Sequence, residues 1–234
     1  MPIPLTIAKK EFSDYFKSPK AYIILIITIS VFNVFFFMIL DQNREASLRD
    51  MFKLMEFLFV FIIPILTMSI FAEEKREGTL EFLLTCPIKP GEIMIGKYLG
   101  IIFFLSILIG LTGSYDVILE ILGHPDRGAI LAGYLGLFLE SALFAAIGLL
   151  TSSWTKNQIV AAICSYVIIL SLYFSVTFMK FAQGTMHDLI RYVSVWSHTE
   201  NFSAGLIQAS DMIYFLSGII FCLFITRFSL DQRP

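Results

Sequence analysis

Long apolar runs alternate with short charged segments along the chain. A helix that spans a bilayer needs about 20 mostly apolar residues, and six runs of that kind are bounded by charged residues, Pro or Gly. The predicted spans are 22–40, 54–72, 94–122, 129–150, 159–179 and 212–228. The pattern therefore predicts an all-α membrane protein with six transmembrane helices in a single transmembrane domain, residues 1–234.

The stretch 3–20 precedes the first span and follows a different pattern. Leu5, Ala8 and Phe12 recur at three- and four-residue spacing, while lysines occupy the other face. Such a stripe is typical of an amphipathic helix that lies along the membrane interface, and Pro19 ends it. The alternative interpretation is a basic tail that only sets the orientation of the chain.

Composition supports a membrane location. Hydrophobic residues make up 57% of the chain and charged residues 15%, with a mean hydropathy of +0.79. Soluble globular proteins average about 45–50% apolar and about 25% charged residues. A water-soluble fold is therefore excluded, and the sequence offers no soluble basic patch that would bind nucleic acid.

Lys and Arg residues are distributed unequally between the segments that connect the spans. With the N-terminus in the cytoplasm, eleven of them lie in cytoplasmic segments or at the cytoplasmic ends of spans, and six lie in external segments. Cytoplasmic segments of membrane proteins are enriched in Lys and Arg. We therefore expect both termini and the loop 73–90 in the cytoplasm, and the segment 180–211 outside.

The loop 73–90, between the second and third predicted spans, combines a charge cluster with an apolar helix. Its sequence over 71–88 is FAEEKREGTLEFLLTCPI, in which five charged residues precede Gly78. Thr79 is of a type that caps helices, and Pro87 ends the short helix that follows. Because this helix is too short to span a membrane, its apolar side packs against the spans or in a groove on another protein. A charge cluster alone is most often a solvated surface.

The order of charge cluster, Gly-Thr, Leu-Glu-Phe-Leu-Leu and Pro resembles the signature loop of ABC-2 type transporter permeases. The segments LGHPDRGAILAGYLGLFLE (122–140), AAIGLLTSSWTKNQIVAAI (145–163) and DMIYFLSGIIFCLFITRFSLDQR (211–233) resemble the same family. The resemblance thus covers nearly the whole chain. It is closest to the short six-span branch of permeases of copper-enzyme maturation and gliding systems, and no copper role follows from that branch.

The resemblance implies a fold with an N-terminal elbow helix and a cytoplasmic coupling helix between helices 2 and 3. In that family the coupling helix docks on a separate cytoplasmic ABC ATP-binding subunit, which binds ATP and Mg. It also implies a second permease copy, as a homodimer, in the lipid bilayer of the bacterial inner membrane. The residues expected to contact the ATP-binding subunit are Glu73, Glu74, Glu77, Thr79, Glu81, Phe82 and Leu83.

The chain itself lacks the features of an ATPase. A P-loop ends in Gly-Lys followed by Ser or Thr, whereas Gly96 and Lys97 are followed by Tyr98 and lead into a span. No acid, base and nucleophile set supports chemistry on a substrate. We therefore expect a non-catalytic subunit with no cofactor of its own, in which ATP hydrolysis by the partner drives the machine.

Glu140 lies near the middle of the fourth predicted span, where an ionised carboxylate costs roughly 2.5–3.5 kcal/mol on insertion scales. It must therefore face protein or water, or carry a proton. One interpretation is a group on the substrate or proton pathway, and the other is a side chain hydrogen-bonded to Ser141 or Tyr134. Permeases of the family have an apolar or small residue at this position, so the resemblance assigns Glu140 no role.

Small residues four positions apart mark close helix contacts. The pairs Gly96/Gly100 and Ala132/Gly136 have this spacing, which lets helix backbones approach each other in membranes. We therefore expect both pairs to pack within the bundle. They carry no information about a substrate.

The external segment 180–211 mixes aromatic and polar residues at near-helical spacing. Trp196, Tyr192 and Phe202 suit the headgroup zone, where aromatic rings anchor membrane proteins. We expect the segment to close the outer end of the bundle as a gate. The alternative is a docking surface for a periplasmic protein.

Acidic residues near the outer end of the third predicted span raise the question of a metal site. Asp116 and Glu120 lie four residues apart with His124 nearby, but metal sites use fixed spacings such as HxxxH or CxxC, which this region lacks. No metal site is expected. Two functions remain open: a permease that moves a substrate, and a mechanotransmitting subunit that drives an external partner protein without moving cargo.

Overall fold

The computed structural model of the protein describes residues 3–43, 47–80, 88–123, 125–178 and 184–231. All regular secondary structure in these ranges is helical. The helices are α1 (Ile3–Lys17), α2 (Pro19–Asn43), α3 (Arg49–Thr67), α4 (Ser69–Glu77), α5 (Pro90–Thr112), α6 (Ser114–Leu122), α7 (Arg127–Trp154), α8 (Gln158–Phe178), α9 (Thr185–Val193), α10 (Val195–Ser203) and α11 (Ala209–Asp231).

Six helical stretches within the described ranges are long and apolar enough to cross a membrane. The prediction of an all-α membrane protein with six spans is therefore confirmed. The candidate spans are Ala21–Asp41 in α2, Arg49–Glu77 in α3 and α4, Pro90–Leu122 in α5 and α6, Arg127–Trp154 in α7, Gln158–Phe178 in α8 and Ala209–Asp231 in α11.

Helix α7 lies at the centre of the bundle. It packs against α3, α5, α8 and α11, and also against the short helices α4 and α10. In its most apolar window 78% of the residues are buried, compared with 17% for α2 and 22% for α11. The peripheral helices therefore present apolar side chains to lipid, whereas α7 is covered by protein.

Glycines on α7 set its distance from α3. A side chain at Gly133 would collide with the Phe52 ring, and a side chain at Gly148 would collide with Thr67. The two partners are 81 residues apart in both pairs, so α3 and α7 run side by side in the same direction and in constant register. Absent side chains on one helix thus let the second and fourth spans pack as a unit.

The two ends of the bundle carry different elements. The loop end holds the C-terminus of α4, the N-terminus of α5 and the C-terminus of α7, and the loop 73–90 leaves the bundle there. The far end holds α6, the start of α7, and the helices α9 and α10. Helices α9 and α10 are called the far cap. The far cap corresponds to the segment that the sequence places outside.

Helix α1 packs along α5. A Cβ added at Gly96 would lie 2.6 Å from Ile7, and one added at Gly100 would lie 2.8 Å from the Glu11 Cβ. The Gly96/Gly100 pair therefore makes a close helix contact, and its partner is the N-terminal helix, not another span. Aromatic pairs that extend this interface join Phe12, Tyr15 and Phe16 of α1 to Phe103 or Phe104 of α5.

The far cap is built partly into the protein core. Phe202 of α10 is fully buried and fills the space beside Gly136, where an added Cβ would lie 2.5 Å from the Phe202 Cβ. The prediction that Phe202 anchors in the headgroup zone is wrong, because a glycine notch on α7 takes the ring into the bundle. Trp196 is half-buried with its ring centroid 5.4 Å from that of Tyr173, whereas Tyr192 is exposed.

Candidate functional site

Helix α4 completes the second span. It includes residues 73–77, so the first part of the loop 73–90 is helical. The span is interrupted at Met68, between α3 and α4. At the other end of α4, Gly78 has a φ of 75°, in the left-handed region, so it ends the helix and redirects the chain. The Thr79 hydroxyl donates to the Glu74 carbonyl oxygen over 3.3 Å, so it closes the end of α4.

The seven residues expected to contact an ATP-binding subunit occupy different settings. Glu77 and Thr79 are exposed at the loop end, and Glu73 is half-buried with its carboxylate 3.8 Å from Arg76. Glu74 instead turns inward to an ion pair within the chain. The other three lie outside the described residues: Glu81, Phe82 and Leu83. Contact of any of the seven with a partner stays a prediction.

Lys97 of α5 lies at the centre of the loop end, with only 2% of its side chain exposed. Its Nζ lies 2.9 Å from Glu11 Oε1 of α1 and 2.7 Å from Glu74 Oε1 of α4. The ammonium also donates to the Ile70 carbonyl oxygen over 3.4 Å and lies 5.5 Å from the centroid of the Phe71 ring. A buried charge is stable only with such compensation. The Lys97 junction, meaning Lys97 with Glu11 and Glu74, therefore ties three helices together.

The Lys97 junction is not predictable from the sequence alone. One signal was present, since Lys97 is a lone cation in an apolar run beside Gly96. A buried lysine needs carboxylate partners. These partners lie 86 and 23 residues away along the chain, so only the fold reveals which acids they are.

Ser152 of α7 holds the start of α4. Its hydroxyl accepts hydrogen bonds from the backbone N–H groups of Phe71 and Ala72 over 3.0 and 3.1 Å. These groups lie in the first turn of α4, where helical N–H groups have no partner within their own helix. The Lys75 ammonium donates to the neighbouring Ser153 carbonyl oxygen. Helix α4 is thus fixed to α7 as well as to α1 and α5.

A cavity of about 490 Å³ opens beside the Lys97 junction, between α1, α2 and the second span. Its wall combines carboxylates such as Asp14 and Glu73 with apolar side chains. At its edge the Tyr15 hydroxyl lies 3.4 Å from the Leu66 carbonyl oxygen, to which it donates. Burial raises the pKa of Tyr15, and the negative charge of Glu11 raises it further. The phenol therefore stays protonated and joins α1 to α3.

Glu140 of α7 is fully buried, and neither of its carboxylate oxygens has a hydrogen-bond partner among the described residues. The Ser141 hydroxyl donates to the Phe138 carbonyl oxygen over 2.8 Å, and the Tyr134 hydroxyl donates to that of Thr112 over 2.8 Å. The interpretation that Ser141 or Tyr134 satisfies Glu140 is therefore wrong, because both hydroxyls bond to backbone instead. A role of Glu140 in a pathway stays a prediction.

A polar network ties the far cap to the sixth span. His198 Nδ1 lies 2.7 Å from Asp211 Oδ1, and the Asn201 amide donates to Asp211 Oδ2 over 2.9 Å. The His198 ring also stacks on Tyr214 with centroids 4.0 Å apart, and its Nε2 lies 3.0 Å from the Tyr192 carbonyl oxygen. Since His198 and Asp211 are both buried, this network holds α10 against the start of the sixth span.

The acidic residues near the end of the third span have different surroundings. Asp116 Oδ1 is buried without a hydrogen-bond partner among the described residues. Glu120 forms an exposed ion pair with Arg127 at 2.5 Å. Nowhere in the described part of the chain do three or more His, Cys, Asp or Glu side chains form a group that could hold a metal ion. His124 lies outside that part.

Comparison with known proteins agrees with this architecture. The family described as ABC-2 family transporter protein matches residues 5–230. A curated relative, the probable ABC transporter permease protein NosY of Pseudomonas aeruginosa, is 30% identical over 176 residues, which is 69% of this chain and 64% of the relative. The chain therefore spans less than two thirds of that relative's length. Because the family match covers nearly the whole chain, the protein belongs to the ABC-2 family of transporter membrane proteins.

Proposed function

We propose that the chain is the membrane-spanning permease subunit of an ATP-driven transporter, and that it couples ATP hydrolysis by a separate ATP-binding subunit to substrate movement across the membrane. The ATP-binding subunit binds ATP and Mg, and the permease contributes no cofactor and no catalytic group. Two copies of the chain form the membrane part in the bacterial inner membrane, with the loop end and both termini in the cytoplasm. Family membership and the similarity to a probable permease support this proposal.

The observation that carries the proposal is the Lys97 junction beside the loop 73–90. Lys97 joins Glu74, at the end of the second span, to the third span and to α1 over distances of 2.7 and 2.9 Å. Helix α4, which carries Glu74, is also hydrogen-bonded to Ser152 of the fourth span. A force applied to the loop therefore acts on three spans at once and does not dissipate in a flexible connection.

The close packing of α3 on α7 provides a route from the loop end to the far end. Gly148 contacts Thr67 near the loop end, and Gly133 contacts Phe52 near the far end, so tilting one helix displaces the other. Protein interiors are close-packed and resist compression. Gly136 on the same helix seats Phe202 of the far cap. Movement that begins at α4 can thus reach the far cap through packed side chains.

Replacement of the apolar residues in the loop tests the proposal. The double variant Phe82→Asp, Leu83→Asp should abolish co-purification of the ATP-binding subunit with the tagged chain, because charges prevent burial in a partner groove. The permease should then also fail to stimulate ATP hydrolysis by that subunit. The matched control is Ile121→Asp, Leu122→Asp at the far end, where both side chains are exposed. Loss of the complex in the control alone, or an unchanged complex in the loop variant, would contradict the proposal.

The alternative function is a mechanotransmitting subunit that drives an external protein without moving cargo. The observation in its favour is α9, in which no residue is buried. Met186, Leu189, Tyr192 and Val193 of this helix are all exposed apolar residues at the far end. Vesicles that contain the permease and its ATP-binding subunit separate the two functions, since ATP-dependent movement of cargo without any external protein supports transport. ATP turnover that depends on an external protein supports mechanotransmission.

A further inference from the structure

Two glutamates are buried together in the bundle between the second and fourth spans. Glu56 of α3 is 2% exposed and Glu140 of α7 is 0% exposed. The constant offset of 81 residues between α3 and α7 places Glu56 beside Leu137. Glu140 therefore lies three residues farther along α7, toward the loop end. Three residues correspond to about 4.5 Å along a helix. The carboxylates are thus on neighbouring levels, and they are close enough to interact electrostatically.

The surroundings of the pair contain hydroxyl groups but little positive charge. Glu56 Oε1 accepts a hydrogen bond from the Ser203 hydroxyl over 3.1 Å. The Thr199 hydroxyl of the same helix lies near Glu56 but donates to the Trp196 carbonyl oxygen over 3.2 Å. Both oxygens of Glu140 lack a hydrogen-bond partner among the described residues. The Tyr173 hydroxyl of α8 is also buried without a hydrogen-bond partner among the described residues, and it interacts electrostatically with both carboxylates.

Charged and titratable groups on the other packed helices complete the environment. Lys53 and Glu200 act on Glu56 from the far end, but the Lys53 ammonium is partly exposed and 3.5 Å from Asp50. From the sixth span the Tyr214 hydroxyl donates to the Val193 carbonyl oxygen over 2.7 Å and acts on Glu140 only electrostatically. From the third span the Tyr98 hydroxyl donates to the Ala142 carbonyl oxygen, close to Glu140 on α7. None of the described ion pairs brings a Lys or Arg within 4 Å of Glu56 or Glu140. Among the described residues, no buried Lys or Arg is therefore paired with either carboxylate.

We propose that Glu56 and Glu140 form a proton-binding site whose occupancy is linked to closure of the far cap. Two buried carboxylates without a counter-cation cannot both be ionised, since each charge is desolvated and the two repel. A shared proton removes one charge and gives the site a donor for its unpartnered oxygens. This inference goes beyond the proposed function and does not depend on ATP.

The link to the far cap runs through the last residues of α10. Ser203 bonds to Glu56, and the adjacent Phe202 ring sits in the Gly136 notch. These contacts cover the acid pair from the far end. Lifting α10 removes both, and water then reaches Glu56 and Glu140.

The direction of the pH effect follows from this arrangement. In the closed state the pair holds a proton, whereas glutamates exposed to water are ionised at neutral pH. Low pH therefore favours the closed, folded state, and this stabilisation is lost as the pH rises toward and above neutrality. Linkage theory gives up to a tenfold change in the closed-to-open ratio per pH unit for one proton.

The test uses the full chain in lipid nanodiscs at pH 7 and records the infrared carbonyl stretch of protonated carboxylic acids. The wild-type protein should show this band, and Glu140→Gln and Glu56→Gln should each lose most of it. The control Asp188→Asn removes an acid of the same cap whose side chain is 83% exposed, and it should keep the band. Absence of the band in the wild-type protein, or its equal loss in the control, would overturn the proposal.

A second measurement keeps the proposal testable if a variant folds poorly. The unfolding temperature of the wild-type protein should decrease as the pH is raised from about 5, which is about one unit above the usual glutamate pKa, to about 8. Glu140→Gln should reduce this pH dependence. The same titration is repeated with Na⁺ replaced by choline. A midpoint that follows Na⁺ concentration and not pH would identify a metal cation as the occupant and overturn the assignment of a proton.

Discussion

The Lys97 ammonium lies 2.7 Å from the Glu74 carboxylate, at the point where the second span leaves the bundle for the loop 73–90. The same ammonium lies 2.9 Å from the Glu11 carboxylate of the N-terminal helix. A single buried cation therefore fixes the positions of α1, the second span and the third span. The mechanical connection in the proposed function rests on this junction.

Replacement of Lys97 should weaken the loop end strongly. Lys97→Met leaves Glu11 and Glu74 without their cation, and removing one partner of a buried ion pair costs about 3–5 kcal/mol. Because the two carboxylates are 18% and 24% exposed, we expect about 3 kcal/mol, the low end of that range. The free energy of unfolding in detergent measures the loss. Lys17→Met, at the exposed pair with Asp14, is the control and should change the free energy of unfolding by less than about 0.5 kcal/mol.

Docking of α1 on α5 depends on the absence of a side chain at Gly96. Gly96→Leu would collide with Ile7 and should destabilise the contact by about 1–3 kcal/mol. Hydrogen exchange of the α1 amides should accelerate accordingly. Gly110→Leu is the matched control, since Gly110 is on the same helix and nothing lies within 4 Å of an added Cβ. Equal exchange in both variants would show that α1 is held elsewhere.

The Ser152 hydroxyl should be needed to order the start of α4. Ser152→Ala leaves the Phe71 and Ala72 N–H groups buried without an acceptor, which costs about 1–3 kcal/mol. Exchange of these two amides should accelerate by about fivefold to about a hundredfold, because each 1.4 kcal/mol corresponds to about a factor of ten. Ser106→Ala, which removes an exposed hydroxyl bonded within its own helix, should leave them unchanged.

Removal of the Asp211 carboxylate should open the far cap. Asp211→Ala deprives His198 and Asn201 of their acceptors at 2.7 and 2.9 Å, a loss of roughly 1–3 kcal/mol. Hydrogen exchange across α9 and α10 should increase, while α7 stays protected. Asp188→Ala removes a side chain that is 83% exposed and should have no such effect. A far cap that remains protected in Asp211→Ala would show that its other contacts, such as Phe202 in the Gly136 notch, are sufficient to hold it.

The sequence permits prediction of the spans because each needs only a local apolar run, and the amphipathic period of α1 is local in the same sense. Its tertiary partners are not local. The Gly96/Gly100 spacing indicates a close contact, but only the fold shows that α1 fills it. The aromatic character of Phe202 favours the headgroup zone until Gly136 is placed opposite it.

The polar groups of the candidate sites were harder to interpret from sequence. Glu140 was recognised because a carboxylate in a span is costly, but the nearest candidates in sequence, Ser141 and Tyr134, bond to backbone carbonyls. The acid that faces it, Glu56, lies on another span. Pairing between helices depends on their register, which sequence periodicity does not contain. The loop residues Glu81, Phe82 and Leu83 remain predictions from family resemblance.

Contact between the loop 73–90 and a cytoplasmic ATP-binding subunit underlies the proposed function, and photo-crosslinking in living cells measures this contact itself. A photoreactive amino acid replaces Glu77, which is exposed beside the loop, and in a parallel strain it replaces Ile121, which is 80% exposed at the far end. The account predicts a crosslinked product with the ATP-binding subunit from position 77 and none from position 121. A product with that subunit from position 121 and none from position 77 would contradict it.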